Sequence, residues 1–262
     1  MAARLTNQSS IDPIPANTVK KMSDFSLSEE TRARLSRIST ASIATALYKR
    51  GLRNQFIQGV SPVNWKGKTM VGQAFTLRYI PAREDRNSID AFKSPDHPQR
   101  VAIETCPPGH VLVMDSRKDP RAASAGSILI TRLAMRGCAG VVSDGGFRDA
   151  EGIGKLDMPA YHNRPSAPTN LTLHEALDIN VPISCGDAPV FPGDVVVGDG
   201  DGVMVIPAHL ADEIAEECTG MECFEDFVLE QVQAGAPIIG LYPPTREESR
   251  TKYAAWREKH GR

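Results

Sequence analysis

Arg148 and Asp149 are the residues best suited to chemistry in this chain. They follow the apolar run GVVSDG after two glycines, Gly145 and Gly146. An arginine can grip a carboxylate through two parallel hydrogen bonds, while a neighbouring aspartate can hold a hard cation such as Mg²⁺. The two glycines are expected to let the backbone turn sharply and approach a ligand closely. Upstream lies GSILITRLAMRG, which has the length and flanks of a helix ending at Gly137. If that helix begins near Gly126, the amides of Ser127, Ile128 and Leu129 lack intrahelical partners and face open space with a partial positive charge behind them. That is a carboxylate-binding site. The stretch AGSILITRLAMRGCAGVVSDGGFRDA thus sets a helix amino terminus and an Arg-Asp pair at two consecutive strand exits, where α/β proteins bind ligands.

Several elements must position these groups. A helical pattern from Ser28 carries Leu35 and Ile38, and Ser39 or Thr40 can cap a second helix that runs through Leu47 and stops at Gly51. The texture then changes to β: KTMVGQAFTLRYIP, HVLVMD at 110–115, GVVSDG at 140–145, VPISCG at 181–186 and VVVGDGDGVMVIP at 195–207. The strand, helix, strand order around GSILITRLAMRG suggests a right-handed βαβ crossover. The later strands leave little room for helices, and Asp199–Gly200 or Asp201–Gly202 suits a tight hairpin. An α/β/β layered domain therefore fits better than a fully alternating doubly wound sheet. Residues 209–234 read as a charged amphipathic helix, and the tail beyond Pro243–Pro244 ends in a short helix-like stretch. Residues 1–25 are polar, broken by Pro13 and Pro15, and read as a flexible arm or a strap contacting another subunit.

Composition narrows the class. At 41% hydrophobic and 24% charged, the 262 residues suit a globular protein with a full core. A net charge of -2 argues against a general nucleic-acid binder, which needs a concentrated basic surface. The five cysteines form no CxxC pair and no zinc spacing, so they read as reduced thiols. With neither an apolar signal segment nor a run long enough to span a bilayer, the expected setting is the cytoplasm.

Other motifs have plain explanations. GDGDG at 198–202 continues into neither an EF-hand nor a P-loop, so a structural turn is the better reading. His162 follows another predicted strand end, and a lone loop histidine is usually ordinary. Cys138 and Cys185 sit in apolar segments as small core residues rather than nucleophiles. Asp115 and Asp144 end their strands and are candidates for supporting the site from behind. Arg148–Asp149 taken alone would be an ordinary surface ion pair.

With Gly126 placed 22 positions before Arg148, the reading changes. GSILITRLAMRGCAGVVSDGGFRDA and the later PGDVVVGDGDGVMVIP together resemble the RraA-like family, which contains 4-hydroxy-4-methyl-2-oxoglutarate aldolases of class II and a protein regulator of ribonuclease E. The resemblance covers roughly Leu35 to Ala234. It implies an RraA-like catalytic domain over residues 26–240, with the α/β/β sandwich of a swivelling-domain-like fold. It implies also a homotrimer or homohexamer with the site at a subunit boundary, and residues 241–262 as an extension contacting a neighbouring subunit. By the same resemblance, Ile128 and Leu129 donate backbone amides to a pyruvyl carboxylate, helped by Gly126 and Ser127. Arg148 is the side-chain partner of that carboxylate, and Asp149 is the direct ligand of Mg²⁺ or Mn²⁺. An acidic residue of the next subunit's late helix reaches the metal through water: Glu225 by its distance from Gly235, with Glu222 as the fallback.

The implied chemistry is cleavage of a small 2-oxo acid. A metal beside the keto acid stabilises charge as the C3–C4 bond breaks, giving pyruvate enolate. Aldol cleavage also needs a base for the C4 hydroxyl, whereas decarboxylation of oxaloacetate does not. Two positions depart from the family: Ser127 stands where its aldolases carry Asp or Glu, and Thr45 where many members carry Asp. Both remove acids from or near the pocket, which bears harder on aldol cleavage than on decarboxylation. The other readings are a non-catalytic regulator that binds a ribonuclease, and a metal-dependent dehydratase or hydrolase of a sugar-derived 2-oxo acid.

Overall fold

A computed structural model describes residues 25–262, so all but the last residue of the arm expected over 1–25 lies outside the described residues. The chain forms α1 (Glu29–Leu35), α2 (Thr40–Lys49), β1 (Ser61–Pro62), β2 (Met70–Pro81), α3 (Pro98–Thr105), β3 (His110–Asp115), β4 (Ala123–Ala125) and α4 (Ser127–Met135). There follow β5 (Gly140–Phe147), α5 (Ala150–Gly154), β6 (Ala160–Pro165), β7 (His174–Ile179), β8 (Ile183–Cys185), β9 (Ala188–Val190), β10 (Val195–Gly198), β11 (Val203–Ile206), α6 (Ala211–Gln233) and α7 (Glu247–His260). Ser28 and Ser39 cap α1 and α2 with side-chain oxygens that accept from Thr31 N and Ser42 N, as Ser residues at these starts should.

The main sheet runs β1-β6-β5-β3-β2-β10-β11, with β4 beside β5 and β7 beside β2. Its centre, β2, β3, β5 and β6, is parallel, and the flanking pairs β10–β2, β10–β11, β2–β7 and β1–β6 are antiparallel. Strand alternation sorts the core into layers. On one face Leu77, Leu112, Met114 and Val141 meet α3 and α4, while Val71, Val195, Val197 and Ile206 meet α1, α2 and α6. On the other face Ala74, Val113, Val142, Tyr161 and Val196 meet the β8–β9 hairpin through Ile183, Cys185 and Val190. Helices, sheet and hairpin make the expected α/β/β stack. The sheet also curls strongly: Tyr161 of β6 donates its hydroxyl to Asp199 O, just past β10, at 3.0 Å, although three strands lie between β6 and β10.

The crossover expected between β3 and β5 is present, with the two strands parallel neighbours and α4 between them in sequence. The GDGDG segment is the turn from β10 to β11, where Asp199 N donates to Gly202 O. Its Asp199 carboxylate also accepts from Thr40 N and Thr40 Oγ1, both at 2.8 Å, tying the turn to the start of α2. One expectation fails: the chain does not turn at Gly145–Gly146. Strand β5 continues through both to Phe147, with a register shift against β6. The glycines are there for close packing, because a Cβ on Gly145 would meet Ser116 Cβ at 2.7 Å and one on Gly146 would meet Ser166 Cβ at 2.6 Å. Helix α7 folds back on α6, with Tyr253 and Trp256 packed near Phe227 and Leu241. Among the described residues no helix is long and apolar enough to cross a membrane.

Candidate functional site

The register of two short strands builds the site. Parallel pairing of β4 with β5 sets Ala125 beside Phe147, and Arg148 N donates to Ala125 O at 3.1 Å. The next residue on each chain segment, Gly126 and Arg148, therefore meet at the carboxyl ends of their strands. Gly126 is the N-cap of α4 in extended backbone (φ -119, ψ 176), and Asp149, not a glycine, makes the turn, in left-handed backbone with φ 59. An aspartate tolerates that region better than most residues. Its Oδ2 accepts from Ser127 N at 3.4 Å and from Ser127 Oγ at 3.3 Å, and Arg148 Nε lies 3.6 Å away. Both side chains are about half exposed.

Gly126, Ile128, Leu129, Arg148 and Asp149 line one cleft of about 340 Å³, at the low end of the roughly 300–1,000 Å³ usual for small-molecule sites. The amides of Ile128 and Leu129, in the first turn of α4, meet no loop or strand acceptor among the described residues. Thus a helix start, an arginine and an aspartate predicted from sequence do converge, with Ser127 held at the rim by its bonds to Asp149. The far wall is built by residues distant in sequence from this stretch. It comes from Ile89 and Phe92 of a short 3₁₀ turn, Gln99 and Arg100 of α3, and Thr169 and Asn170 before β7. His97–Pro98 carries the usual sign of a helix start, proline in the first turn, and was the available signal for α3.

The remaining candidates lie elsewhere in the chain. Glu225 accepts from the Tyr242 hydroxyl at 2.7 Å, and Glu222 from Ser39 N and Ser39 Oγ at 3.0 and 2.9 Å. Neither lines the cleft of its own chain. Thr45 is exposed on α2 in a separate depression beside Tyr48 and Arg53. His162 lies within β6 rather than after a strand. It is buried against Phe147 with Nδ1 unpartnered, and burial pushes its pKa down to about 4. Cys138 and Cys185 are core residues. Asp144 accepts from Ser116 N, Lys118 N and Gly186 N, and Asp115 from Arg117 N and Ser184 N. They fasten the loop after β3 to the β8–β9 hairpin. Burial pushes the Asp144 pKa up to about 6.

As a cation site the cleft offers one carboxylate, since no group of three His, Cys, Asp or Glu side chains comes together among the described residues. Oδ1 of Asp149 has no hydrogen-bond partner there, while Oδ2 is occupied by Ser127. A single hard oxygen with open space around it suits Mg²⁺ or Mn²⁺ carrying several waters, and suits zinc or copper poorly.

Fold and site together describe an α/β protein with a cleft at the carboxyl ends of its parallel strands, lined by a helix start, two arginines and an aspartate. The RraA-like family model (Aldolase/RraA) matches residues 40–205, and the chain belongs to that family. It is 35% identical over 116 residues to a Halalkalibacterium halodurans protein provisionally named a 4-hydroxy-4-methyl-2-oxoglutarate aldolase; the match covers 44% of this chain and 55%, about half, of that one. An Ectopseudomonas mendocina protein with the same provisional name is 32% identical over 160 residues, 60% of this chain and 90% of its own. Among solved structures, Streptomyces coelicolor RraAS2, described as an unusual member of the RNase ES inhibitor RraA protein family, superposes with a TM-score of 0.69 at 27% identity, covering 77% of this chain and 96% of that one.

Proposed function

We propose that this protein is a divalent-metal-dependent carbon–carbon lyase that cleaves a small 2-oxo acid and releases pyruvate. The observation that carries the reading is the meeting of Arg148, Asp149 and the α4 amino terminus in one cleft. The relatives named as aldolases lend it a reaction class.

In this reading the 2-oxo carboxylate lies against the amides of Ile128 and Leu129 and takes the Arg148 guanidinium as its side-chain partner. Asp149 would hold the cation, which when bound would supply a Lewis acid for the 2-oxo group. The helix start and the guanidinium fix the acid end, so that the C3–C4 bond is presented to the rest of the cleft. When that bond breaks, its electron pair stays on C3 and gives the pyruvate enolate. An aldol substrate must also lose the C4 hydroxyl proton. Among the lining residues the titratable side chains are Arg100, Arg148 and Asp149, and none of these is free to act as the base. The proton therefore goes to water, or to an acid brought in by a second copy of the chain. We assign the latter role to Glu225, a reading supported by Leu229 and Val232, four and seven positions on, which share its side of α6 and are 57% and 40% exposed. In a homotrimer or homohexamer that face would cover the cleft of the next subunit.

The test is pyruvate release from oxaloacetate and from 4-hydroxy-4-methyl-2-oxoglutarate, with Mg²⁺ or Mn²⁺ and with EDTA. Metal-dependent release that falls at least about 100-fold in Asp149→Ala is expected. Full turnover by Asp149→Ala would overturn the assignment. No release from either acid would favour the second reading, a ribonuclease-binding regulator, which the Streptomyces coelicolor structural relative supports.

A further inference from the structure

Arg100 is the unexplained charge of the cleft. Its guanidinium carbon sits 4.8 Å from the centre of the Phe92 ring, its Nε is buried without a hydrogen-bond partner, and it forms no ion pair with any described residue. Other arginines nearby are paired, Arg132 with Glu104 and Arg121 with Asp119. A half-buried cation left without an acceptor is costly, and such costs persist where a ligand removes them. The neighbouring side chain has the opposite need, an acceptor that a substrate hydroxyl rather than a carboxylate would satisfy. Gln99, 1% exposed, is locked by Nε2 donating to Ser124 O at 2.6 Å, which leaves its Oε1 buried and unpartnered. Both residues line the cleft. Its charged lining residues are Arg100, Arg148 and Asp149, so it is net positive even before a cation binds. A ligand with one carboxylate would satisfy Arg148 and leave Arg100 bare.

We propose that Arg100 is a specificity residue that binds a second carboxylate, one carried as a substituent on C4 of the substrate. This rests on the lyase reading and assigns a residue to the far end of the kind of substrate that the aldolase-named relatives' name implies, a 4-hydroxy-2-oxo diacid, in preference to oxaloacetate. In aldol cleavage the C3–C4 bond breaks with its pair left on C3. The C4 hydroxyl gives its proton to water or to the incoming carboxylate and becomes a carbonyl, and the substituent carboxylate stays ionised throughout. Arg100 keeps its grip from substrate to product. In oxaloacetate C4 is itself the carboxylate and must become neutral carbon dioxide. A guanidinium holding it as an anion would favour the ground state over the transition state and slow the loss.

Arg100→Met keeps the stem against Phe92 and removes the charge. Its KM for 4-hydroxy-4-methyl-2-oxoglutarate should rise about 10- to 100-fold, the worth of a charge-assisted pair. Deuterium exchange at C3 of pyruvate, which needs only the Arg148 end, should stay within about twofold, and oxaloacetate decarboxylation should be unchanged or faster. Arg100→Lys should recover part of the lost affinity. An unchanged KM for the hydroxy diacid in Arg100→Met, or an equal loss in all three reactions, would overturn the proposal. Wild-type protein without exchange or cleavage would instead defeat the lyase reading. Calorimetry then decides Arg100 separately: Arg100→Met must weaken 2-oxoglutarate binding and spare pyruvate, and equal affinities for 2-oxoglutarate in the two proteins would sink it.

Discussion

A Cβ built on Gly126 would lie 2.9 Å from Arg148 Cγ and 3.1 Å from Asp149 Oδ2. Its backbone at φ -119 is open to any residue, so what alanine meets there is crowding rather than strain. The groups in its way are half-exposed side chains that can swing aside, and the fold should lose less than about 1 kcal/mol. The cleft would lose the alignment of its guanidinium and carboxylate. Gly126→Ala is therefore expected to melt within a few degrees of the wild type and to release pyruvate at least about 10-fold more slowly, a split that thermal melts and steady-state kinetics would read. At this scale the sequence was legible where the chemistry is local: Gly126, Arg148 and Asp149 sit on one helix start and one strand exit only 22 positions apart. Phe92, Gln99 and Arg100 reach the same cleft by tertiary packing alone, so neither pattern nor spacing along the chain marks them.

Strand β5 runs on past the point where its sequence suggests a turn, because Gly145 and Gly146 mean a turn in isolation and a close approach in context. The neighbours that require them, Ser116 and Ser166, lie on other segments. Beside β5 runs β6, whose His162 is in register with Ser143 and packs on Phe147, the residue before Arg148. Burial lowers the His162 pKa from 6.5 to about 4, so the fold favours the neutral ring. The unfolded chain takes up a proton near 6.5 while the folded one does not, so between pH 6.5 and 4 the unfolded state binds more protons. His162 thus subtracts stability as pH falls through that window, opposite to buried Asp144, whose raised pKa adds it. Urea unfolding at pH 7 and pH 4.5 should show a smaller loss in His162→Phe than in the wild type, and an equal loss would remove His162 from the account. Helix α2 supplies a second check at this scale. Glu222 is committed to the Ser39 amide and hydroxyl at its start, so Glu222→Ala should cost about 1 kcal/mol of stability in urea and leave the KM for metal unchanged. A shifted metal KM would return Glu222 to the candidate site.

The layered fold was readable as a whole because period-two runs and a helix between two of them admit few arrangements, whereas the base proposed for the site, Glu225, would have to come from a second chain. A single subunit brings Arg148, Asp149 and the start of α4 into one cleft with no further acid or base among the lining residues, and the acidic candidate, Glu225, sits on α6, away from the cleft and bonded to Tyr242. Two features of the surface point the same way. Ile128, in the cleft wall, is 83% exposed, and α6 carries exposed Leu229 and Val232 on the side of Glu225. Both patches gain by being covered, at about 25 cal/mol per Å² of apolar area. If α6 of one copy closes the cleft of the next, each site draws Asp149 and Glu225 from different chains. Asp149→Ala and Glu225→Ala would then be separately inactive in aldol cleavage, yet mixing them with subunit exchange would restore sites that hold both residues. Random exchange at equal amounts in a ring leaves about one site in four with both wild-type residues, so activity should return to roughly a quarter of the wild-type value. An oligomer that exchanges subunits, as tagged copies would show, and stays inactive on mixing would mean that Asp149 and Glu225 serve no common site. A wild-type protein that sediments as a monomer with full activity would place the base in water alone.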